Sequence, residues 1–282
     1  MVILISPNCM DFARELDGKL IETRSFPDGE RYVRIPIFNE RNVVLLHRCY
    51  PNANEALIEL FLMLRQTREM GARNISCIIP YMPYARQDKR FLEGEAVSAK
   101  TICSLIKSAG CDELITFDCH FLKKEGVFDY AGLWIRNISM GKELLRHFDS
   151  YDMVVSPDMG AAYLVGKNGE TMEKRRGSYG KGRKAYRKVE ELVANFDVAG
   201  KRVVVIDDMI STGSTMVKAV KILKKKGAKS VSCCATHGLF LGKSLEELKK
   251  SGALRIITSD TIRNPVARVG IIPALREKGV IR

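Results

Sequence analysis

Residues 203–215 combine an apolar run, two acids and a loop of small hydroxyl residues. The run Val203 to Ile206 reads as a buried strand and ends in Asp207 and Asp208. The loop that follows consists of residues that let an anion approach closely: Ser211, Thr212, Gly213, Ser214 and Thr215. A helix begins there, so free backbone N–H groups and hydroxyl donors point at the loop. The pattern predicts a cradle for a phosphate monoester.

The two acids refine that prediction. Asp207 and Asp208 stand at the predicted carboxyl end of a strand, where open α/β sheets bind ligands. Carboxylates repel a phosphate unless the phosphate belongs to a sugar whose vicinal hydroxyls donate to them. The alternative is a strand end before a well-capped helix, but capping requires only one such residue. The Walker pattern of P-loop proteins is absent.

Two basic segments are candidates for binding polyphosphate. Arg86, Gln87 and Asp88 lie just after a strand-like run and two prolines. An arginine there can stack or bind phosphate and an amide can pair with a base edge, although a solvated surface loop has the same composition. Lys174 and Arg176 open a basic, glycine-rich stretch, which predicts either a mobile flap over a substrate or a disordered loop.

Two further side chains are candidates for a functional role. His120 follows the strand-like run Leu114 to Phe117, with Asp118 beside it, and Asp158 occupies a similar strand end in the second half. A lone histidine is usually structural or on the surface. A position at a strand's carboxyl end beside an acid favours a functional role.

Strand-like runs alternate with helical patterns along the chain, which predicts parallel sheets covered by helices. In the second half, Arg202 to Ile206 and Ser230 to Ala235 read as strands on either side of a helix from Ser214 to Lys226. The run from Gly71 to Cys77 is echoed by the run from Gly227 to Cys233, each leading from a helix into a strand. The echo favours two related domains with a boundary near 140–150.

Composition narrows the class of protein. The 282 residues carry a formal net charge of +13, which suits nucleic acid, an anionic membrane surface or a polyphosphate substrate. No basic stripe with interleaved aromatics supports nucleic-acid binding, and no apolar run is long enough to span a membrane. The eight cysteines form no Cys-x-x-Cys pair and are expected to be reduced and buried. We therefore expect a cytoplasmic protein that binds neither nucleic acid nor membrane.

Together these segments resemble the ribose-phosphate diphosphokinases, most closely the short archaeal members. The 203–215 segment resembles the loop that binds phosphoribosyl diphosphate (PRPP) in type I phosphoribosyltransferases and PRPP synthetases. Five further segments match the motifs of the diphosphokinases in their order, over nearly the whole chain: Phe26 to Glu30, Pro80 to Arg90, Asp118 to His120, Ser156 to Gly160 and Glu173 to Arg176. The residues after His120 depart from the family pattern.

The resemblance implies an α/β fold of two tandem type I phosphoribosyltransferase-like domains, each a mainly parallel sheet flanked by helices. The first would span 1–142 together with 271–282 and bind ATP, and the second would span 143–270 and bind ribose 5-phosphate. The implied reaction transfers the β,γ-diphosphate of ATP to the 1-hydroxyl of ribose 5-phosphate, giving PRPP and AMP for nucleotide biosynthesis.

The resemblance also implies roles for the candidate residues. Lys174 and Arg176 would be catalytic, and His120 and Asp158 would hold Mg²⁺ directly or through water. The implied ATP contacts are Asp28, Gly29, Glu30, Arg86, Gln87 and Asp88. Residues 28–30 would reach into the ATP site from a neighbouring subunit of a homodimer or larger homo-oligomer.

Two other functions share the phosphate cradle. A phosphoribosyltransferase that consumes PRPP would need only one such domain and would have no use for Arg86 and Gln87. A non-catalytic regulator associated with PRPP synthetases would have altered catalytic loops, whereas His120, Lys174 and Arg176 are all present.

Overall fold

The computed structural model describes residues 1–175 and 191–282 and divides the chain into two compact units. The first unit comprises Met1–Ser139 together with Ile271–Arg282, and the second comprises Met140–Gly270. The C-terminal segment belongs to the first unit because its side chains bond there: Arg276 donates to the carbonyl oxygen of Glu15 at 2.7 Å, and Lys278 is ion-paired with Glu125.

The strands of the first unit are short and mostly apolar. They are β1 (Val2–Ile5), β2 (Lys19–Leu20), β3 (Glu22–Ser25), β4 (Arg31–Arg34), β5 (Asn42–Leu46), β6 (Asn74–Ile78), β7 (Glu113–Phe117), β8 (Gly126–Tyr130) and β9 (Leu133–Ile138). The strands of the second unit follow in chain order: β10 (Met153–Ser156), β11 (Glu170–Thr171), β12 (Glu173–Arg175), β13 (Glu191–Val193), β14 (Arg202–Ile210), β15 (Ser230–Gly238), β16 (Ile256–Ser259) and β17 (Ala267–Val269).

The helices within the described ranges connect these strands. They are α1 (Ala53–Glu69), α2 (Ser98–Ser108), α3 (Gly141–Leu145), α4 (Ser214–Lys225), α5 (Ser244–Lys250) and α6 (Ile272–Glu277). Two 3₁₀ segments, Pro7–Arg14 and Ala162–Leu164, complete the helical structure of the part described.

The main sheet of each unit has the same strand plan. In the first unit the order is β2-β1-β5-β6-β7-β9-β8, parallel except for the antiparallel edge strand β8. In the second unit the order is β11-β10-β14-β15-β16-β17, with all pairs parallel. Strands β1, β5, β6 and β7 thus correspond to β10, β14, β15 and β16. The predicted fold class, two α/β domains with mainly parallel sheets, is confirmed.

The repeated Gly-Ala segment noticed in the sequence occupies equivalent places in the two plans. Gly71 follows α1 and leads into β6, and Gly227 follows α4 and leads into β15. Both glycines have left-handed backbone, with φ of +99° and +87°, which ends the preceding helix without a Cβ clash.

Helix α4 shows why these segments fold as they do. Its buried residues Met216, Ala219, Val220 and Leu223 recur at the spacing of one helical face. They pack on the face of the sheet formed by alternate residues of β14 and β15, such as Val203 and Val231. Each unit therefore has its own apolar core, and the carboxyl ends of its parallel strands are left at one edge of the sheet.

The cysteines and the helices agree with the composition. All eight cysteines are buried and free. None of the described helices combines the length and the apolarity that crossing a bilayer requires.

Candidate functional site

The strand that carries the two acids is longer than the sequence predicted. We expected it to stop at Ile206, whereas β14 continues through Asp207 and Asp208 to Ile210. It does so because β15 stays beside it, pairing Asp207 with Ala235 and Ile210 with Gly238. The acids therefore lie within the last part of a paired strand and not in a loop.

The turn from β14 into α4 is tight and short. Gly213 has a φ of +72° and is the N-terminal cap residue of α4, a backbone geometry that favours glycine. Thr212 and Ser214 bring their hydroxyl oxygens to 3.4 Å of each other, and both side chains are exposed. Hydroxyls and the first N–H groups of α4 are thus presented together, as anion binding requires.

The two acids differ in exposure. Asp208 is 7% exposed, whereas Asp207 is half-buried and accepts a hydrogen bond from the backbone N–H of Asp208 at 2.9 Å. Burial raises the pKa of Asp207 well above its ordinary value, and the negative charges of Asp208 and Asp158 add to the rise. Three carboxylates thus influence one region, which favours a partner that brings hydroxyl protons or a cation.

A wall of backbone supports the turn from behind. The N–H groups of Leu239 and Phe240 donate to the carbonyl oxygen of Ile210 at 3.0 and 3.1 Å, and that of Leu241 donates to Ser211 at 3.0 Å. Ser244 packs directly against Gly213, and a Cβ on that glycine would lie 3.1 Å from the Cβ of Ser244. The sequence did not single out this wall, since its residues show no polar pattern of their own.

Asp158 lies just beyond the carboxyl end of β10, as predicted. Its carboxylate accepts the N–H of Gly160 at 2.7 Å, and its carbonyl accepts the N–H of Ala161 at 3.3 Å. These bonds turn the chain sharply after Pro157 and fix the half-buried carboxylate at the edge of the sheet where the parallel strands have their carboxyl ends.

His120 follows β7 on a turn that another residue holds in place. Asp118 is fully buried with a φ of +34°, and its N–H donates to Ile138 at 3.0 Å. The N–H of Cys119 donates to the side chain of Asn137 at 2.8 Å, and Asn137 donates to Lys124 at 2.7 Å. Asn137 is thus a supporting residue that the sequence analysis missed; an amide inside the apolar strand β9 was the available signal.

Asp28, Gly29 and Glu30 form the exposed tip of a hairpin. The hairpin consists of β3 and β4, which among the described strands pair only with each other, and its tip is closed by a hydrogen bond from the N–H of Gly29 to the carbonyl of Phe26 at 2.9 Å. Arg31, at the tip end of the hairpin, is hydrogen-bonded to Glu59 of α1, with Nε at 2.9 Å from the carboxylate. The three predicted ATP contacts are therefore exposed at the surface of the first unit.

The Arg86 loop is organised around a carboxylate. Glu95 accepts the N–H groups of Phe91 and Leu92 at 2.8 and 3.1 Å and the side-chain amide of Gln87 at 3.1 Å. These hydrogen bonds lower the pKa of Glu95. The amide nitrogen of Gln87 also donates to the carbonyl of Lys89, so in this structure Gln87 supports the loop. Arg86 is exposed.

The basic catalytic candidates lie at the edge of the described part. Lys174 is in β12, where its backbone pairs with Leu192 of β13 in a small antiparallel ribbon. Arg176 lies outside the described residues.

The first unit does not repeat the acids and hydroxyl residues of the predicted cradle at the corresponding place. There the connection from β5 to α1 carries His47 and Arg48 where the second unit has its acids. Arg48 is 3% exposed, donates to Asp11 at 2.6 Å and lies 4.1 Å from the ring centre of Phe12. In the first unit the place of the acids is thus taken by a buried arginine that is paired with Asp11.

A cavity of about 400 Å³ opens elsewhere on the second unit. It is lined by residues at the amino ends of the strands, among them Arg202, Ser230 and Arg255. It lies at the edge opposite the cradle and plays no part in the candidate site.

Comparison with known proteins decides the family. Residues 12–110 match the model of the N-terminal domain of ribose phosphate pyrophosphokinase, and residues 135–270 match the phosphoribosyl transferase domain. A ribose-phosphate pyrophosphokinase of Methanopyrus kandleri is 37% identical, covering 94% of this chain and 92% of the relative. The chain belongs to the ribose-phosphate pyrophosphokinase family.

Other relatives of the pyrophosphokinase family agree. The ribose-phosphate pyrophosphokinases of Methanobrevibacter smithii and Pyrococcus furiosus are each 34% identical to the chain. Each alignment covers 93% of this chain, and it covers 93% of the Methanobrevibacter smithii protein and 96% of the Pyrococcus furiosus protein. The crystal structure of phosphoribosylpyrophosphate synthetase from Mycobacterium smegmatis superposes with a TM-score of 0.79 at 29% identity, covering 99% of this chain and 97% of that one. The predicted resemblance to this family, including its archaeal members, is confirmed.

Proposed function

We propose that this pyrophosphokinase-family chain makes PRPP, by transferring the β,γ-diphosphate of ATP to the 1-hydroxyl of ribose 5-phosphate with release of AMP. The observation that carries the proposal is the β14–α4 cradle, where a left-handed glycine, clustered hydroxyls and two acids meet at one strand end. Membership of the pyrophosphokinase family supports PRPP synthesis as the reaction, and the cradle is the place that we assign to the sugar phosphate.

Ribose 5-phosphate is assigned to the second unit. Its phosphate accepts hydrogen bonds from the turn 211–215 and the first N–H groups of α4, and its vicinal hydroxyls donate to Asp207 and Asp208. The pKa of Asp207 is raised by burial and by the charges of Asp208 and Asp158. This supports the assignment, since a hydroxyl proton donated to a carboxylate reduces the repulsion among the three negative charges.

ATP is assigned to the first unit. Arg86 is exposed on a loop that Glu95 organises, so its guanidinium is available to stack on adenine or to bind phosphate. Gln87 and Asp88 belong to the same loop. Asp28, Gly29 and Glu30 lie on the outward tip of the hairpin, and we assign them to ATP held by a neighbouring subunit of a homodimer or larger assembly.

Mg²⁺ is the metal we assign to this reaction. A carboxylate such as Asp158 suits a hard cation, and the repulsion among the acids near Asp207 is relieved by positive charge. His120 suits contact through a metal-bound water, because imidazole is a poor direct ligand for Mg²⁺. In the described part of the chain no three histidine, cysteine or acidic side chains are grouped to hold an ion. Bound Mg²⁺ supplies charge neutralisation on the phosphates of ATP.

The transfer step needs positive charge more than it needs a base. The 1-hydroxyl oxygen of ribose 5-phosphate attacks the β-phosphorus in line, the bond from that phosphorus to the oxygen bridging to the α-phosphate breaks as AMP leaves, and the hydroxyl proton is released to water. Lys174 and Arg176 neutralise the charge that grows on the transferred diphosphate and the bridging oxygen. We assign ATP binding to the domain of residues 1–142 with 271–282, and binding of the sugar phosphate to the domain of residues 143–270. We place the reaction in the cytoplasm.

A direct assay tests the proposal. The purified chain is given ATP, Mg²⁺ and ribose 5-phosphate without a nucleobase, and phosphorus NMR follows AMP and PRPP. We expect the two products in equal amounts. Asp208→Asn lowers the rate, whereas Asp197→Asn, a change in an exposed turn at the other edge of the same unit, leaves it intact. No PRPP here, with product formed only from PRPP plus a base, would establish the phosphoribosyltransferase instead.

A further inference from the structure

Strand β16 separates from β15 before β15 ends. The last paired residues of β15 and β16 are Ala235 and Thr258, whereas Ser259 still pairs with Val269 of β17 after a shift in register. Strand β15 continues to Gly238 and stays paired with β14. Its final residues, beginning at Thr236, therefore run past the point where β16 supports them.

Two side-chain hydroxyls bond to β15 where its backbone pairing with β16 has ended. The carbonyl oxygen of Thr236 accepts hydrogen bonds from Ser259 at 2.5 Å and from Thr261 at 2.9 Å. The same two hydroxyls are 3.0 Å apart, and Thr261 lies 2.9 Å from Nδ1 of His237. All four residues are 1% exposed or less. A polar group here is thus tied to a defined geometry, because burial makes an unmade hydrogen bond costly.

The supported end of β15 leads directly to the phosphate cradle. His237 pairs with Met209, one residue beyond Asp208, and the next residues form the wall whose N–H groups hold Ile210 and Ser211. Gly238 is packed so closely that a Cβ would lie 2.7 Å from the amide nitrogen of Asn264 and 2.9 Å from Thr258. A displacement at Thr236 has little room to be absorbed before it reaches the turn.

We propose that Thr261 is a positioning residue for the sugar-phosphate site. Its hydroxyl, with that of Ser259, fixes the end of β15, and β15 in turn fixes the wall behind the turn 211–213. Thr261 itself lies outside the cradle and touches substrate at no point in this scheme. This inference rests on the assignment of ribose 5-phosphate to the cradle.

The test compares two changes at Thr261 with a matched change elsewhere. Thr261→Val keeps the shape and removes the hydroxyl, and Thr261→Ser restores the hydroxyl. Thr67→Val is the control, because Thr67 is fully buried and its hydroxyl has no partner among the described residues. The readouts are the ribose 5-phosphate Kd by calorimetry without ATP, and KM and kcat for both substrates.

We expect Thr261→Val to weaken ribose 5-phosphate binding about tenfold, the effect of one lost buried hydrogen bond. The KM for ATP stays within about twofold, Thr261→Ser recovers most of the affinity, and Thr67→Val changes neither constant. Unchanged ribose 5-phosphate affinity in Thr261→Val, or equal losses for both substrates without rescue by serine, would overturn the proposal.

A second variant and the wild type keep the outcomes separate. If Thr261→Val does not fold, Ser259→Ala removes one of the two bonds to Thr236, and unchanged ribose 5-phosphate affinity there overturns the proposal equally. Wild-type chain that binds ribose 5-phosphate but makes no PRPP would contradict the proposed function. The positioning role would then still be decided by the ribose 5-phosphate Kd of the Thr261 and Ser259 variants.

Discussion

Replacing Gly213 with alanine separates the local strain of the cradle from its role in binding. Gly213 has a φ of +72°, and its added Cβ would meet the Cβ of Ser244 at 3.1 Å and the carbonyl oxygen of Ser244 at 3.4 Å. Gly200, in the turn before β14, is a matched control because its φ is +70° and nothing lies within 4 Å of an added Cβ.

The two variants share one cost and differ in another. Left-handed backbone costs an alanine about 1 kcal/mol relative to glycine, so both should lose that much unfolding free energy and roughly 2–4 °C in Tm. Only Gly213→Ala also pushes the turn away from Ser244 by a few tenths of an ångström. Misaligning one backbone hydrogen bond to a charged phosphate costs about 1.5–3 kcal/mol, roughly ten- to hundredfold in ribose 5-phosphate Kd.

Calorimetry with ribose 5-phosphate and thermal unfolding measure the two effects separately. We expect similar Tm losses in both variants and a weakened Kd in Gly213→Ala alone. Gly213→Ala with wild-type affinity, or Gly200→Ala with an equal loss of affinity, would refute the placement of the phosphate at this turn.

Three further changes test other parts of the chain. Lys174→Ala should lower kcat by about 10³–10⁵ with a smaller change in KM, because the lysine acts on charge that develops in the transition state; a near-normal kcat in steady-state assays refutes that role. Burial lowers the pKa of His47 to about 4, so below the unfolded value of 6.5 the unfolded chain binds a proton that the folded chain does not. Stability should therefore fall by about 3 kcal/mol from pH 6.5 to 4, a loss that His47→Gln removes in urea unfolding, and an unaltered pH slope in that variant contradicts the reasoning. Ser244→Ala should raise the unfolding free energy by about 1 kcal/mol, because the buried hydroxyl has no partner among the described residues, and a clear loss of stability would show that it is bonded.

The sequence was most informative where chemistry and local pattern coincide. The order of apolar run, acids, hydroxyl loop and helix is contained in residues 203–215, and the structure brings that order into one turn. Glycine at 213 could be read as functional because a residue without a side chain lets the backbone approach an anion closely. The alternation of strands and helices likewise predicted the fold class, since each periodicity is a property of a short segment.

The ends of strands and the supports of the site were not predictable in this way. Strand β14 extends to Ile210 because β15 runs beside it, and the Thr236 carbonyl near the end of β15 accepts hydrogen bonds from the hydroxyls of Ser259 and Thr261. The amide of Gln87 was read as able to pair with a base edge, and that role stays a prediction; the hydrogen bond it donates to Glu95, eight residues further on, was not predicted. These outcomes depend on which segments become neighbours.

The sequence by itself determined which residues are candidates for binding a sugar phosphate, because the types and spacing of acids, hydroxyls and glycine are local. Only the tertiary structure decided how those residues are held. Asn137 supports the turn before His120 from 18 residues away, and Thr261 supports β15 from 25 residues away. Such contacts leave no periodic trace in the sequence, because a hydrogen bond needs a particular partner at a particular distance and not a repeating pattern.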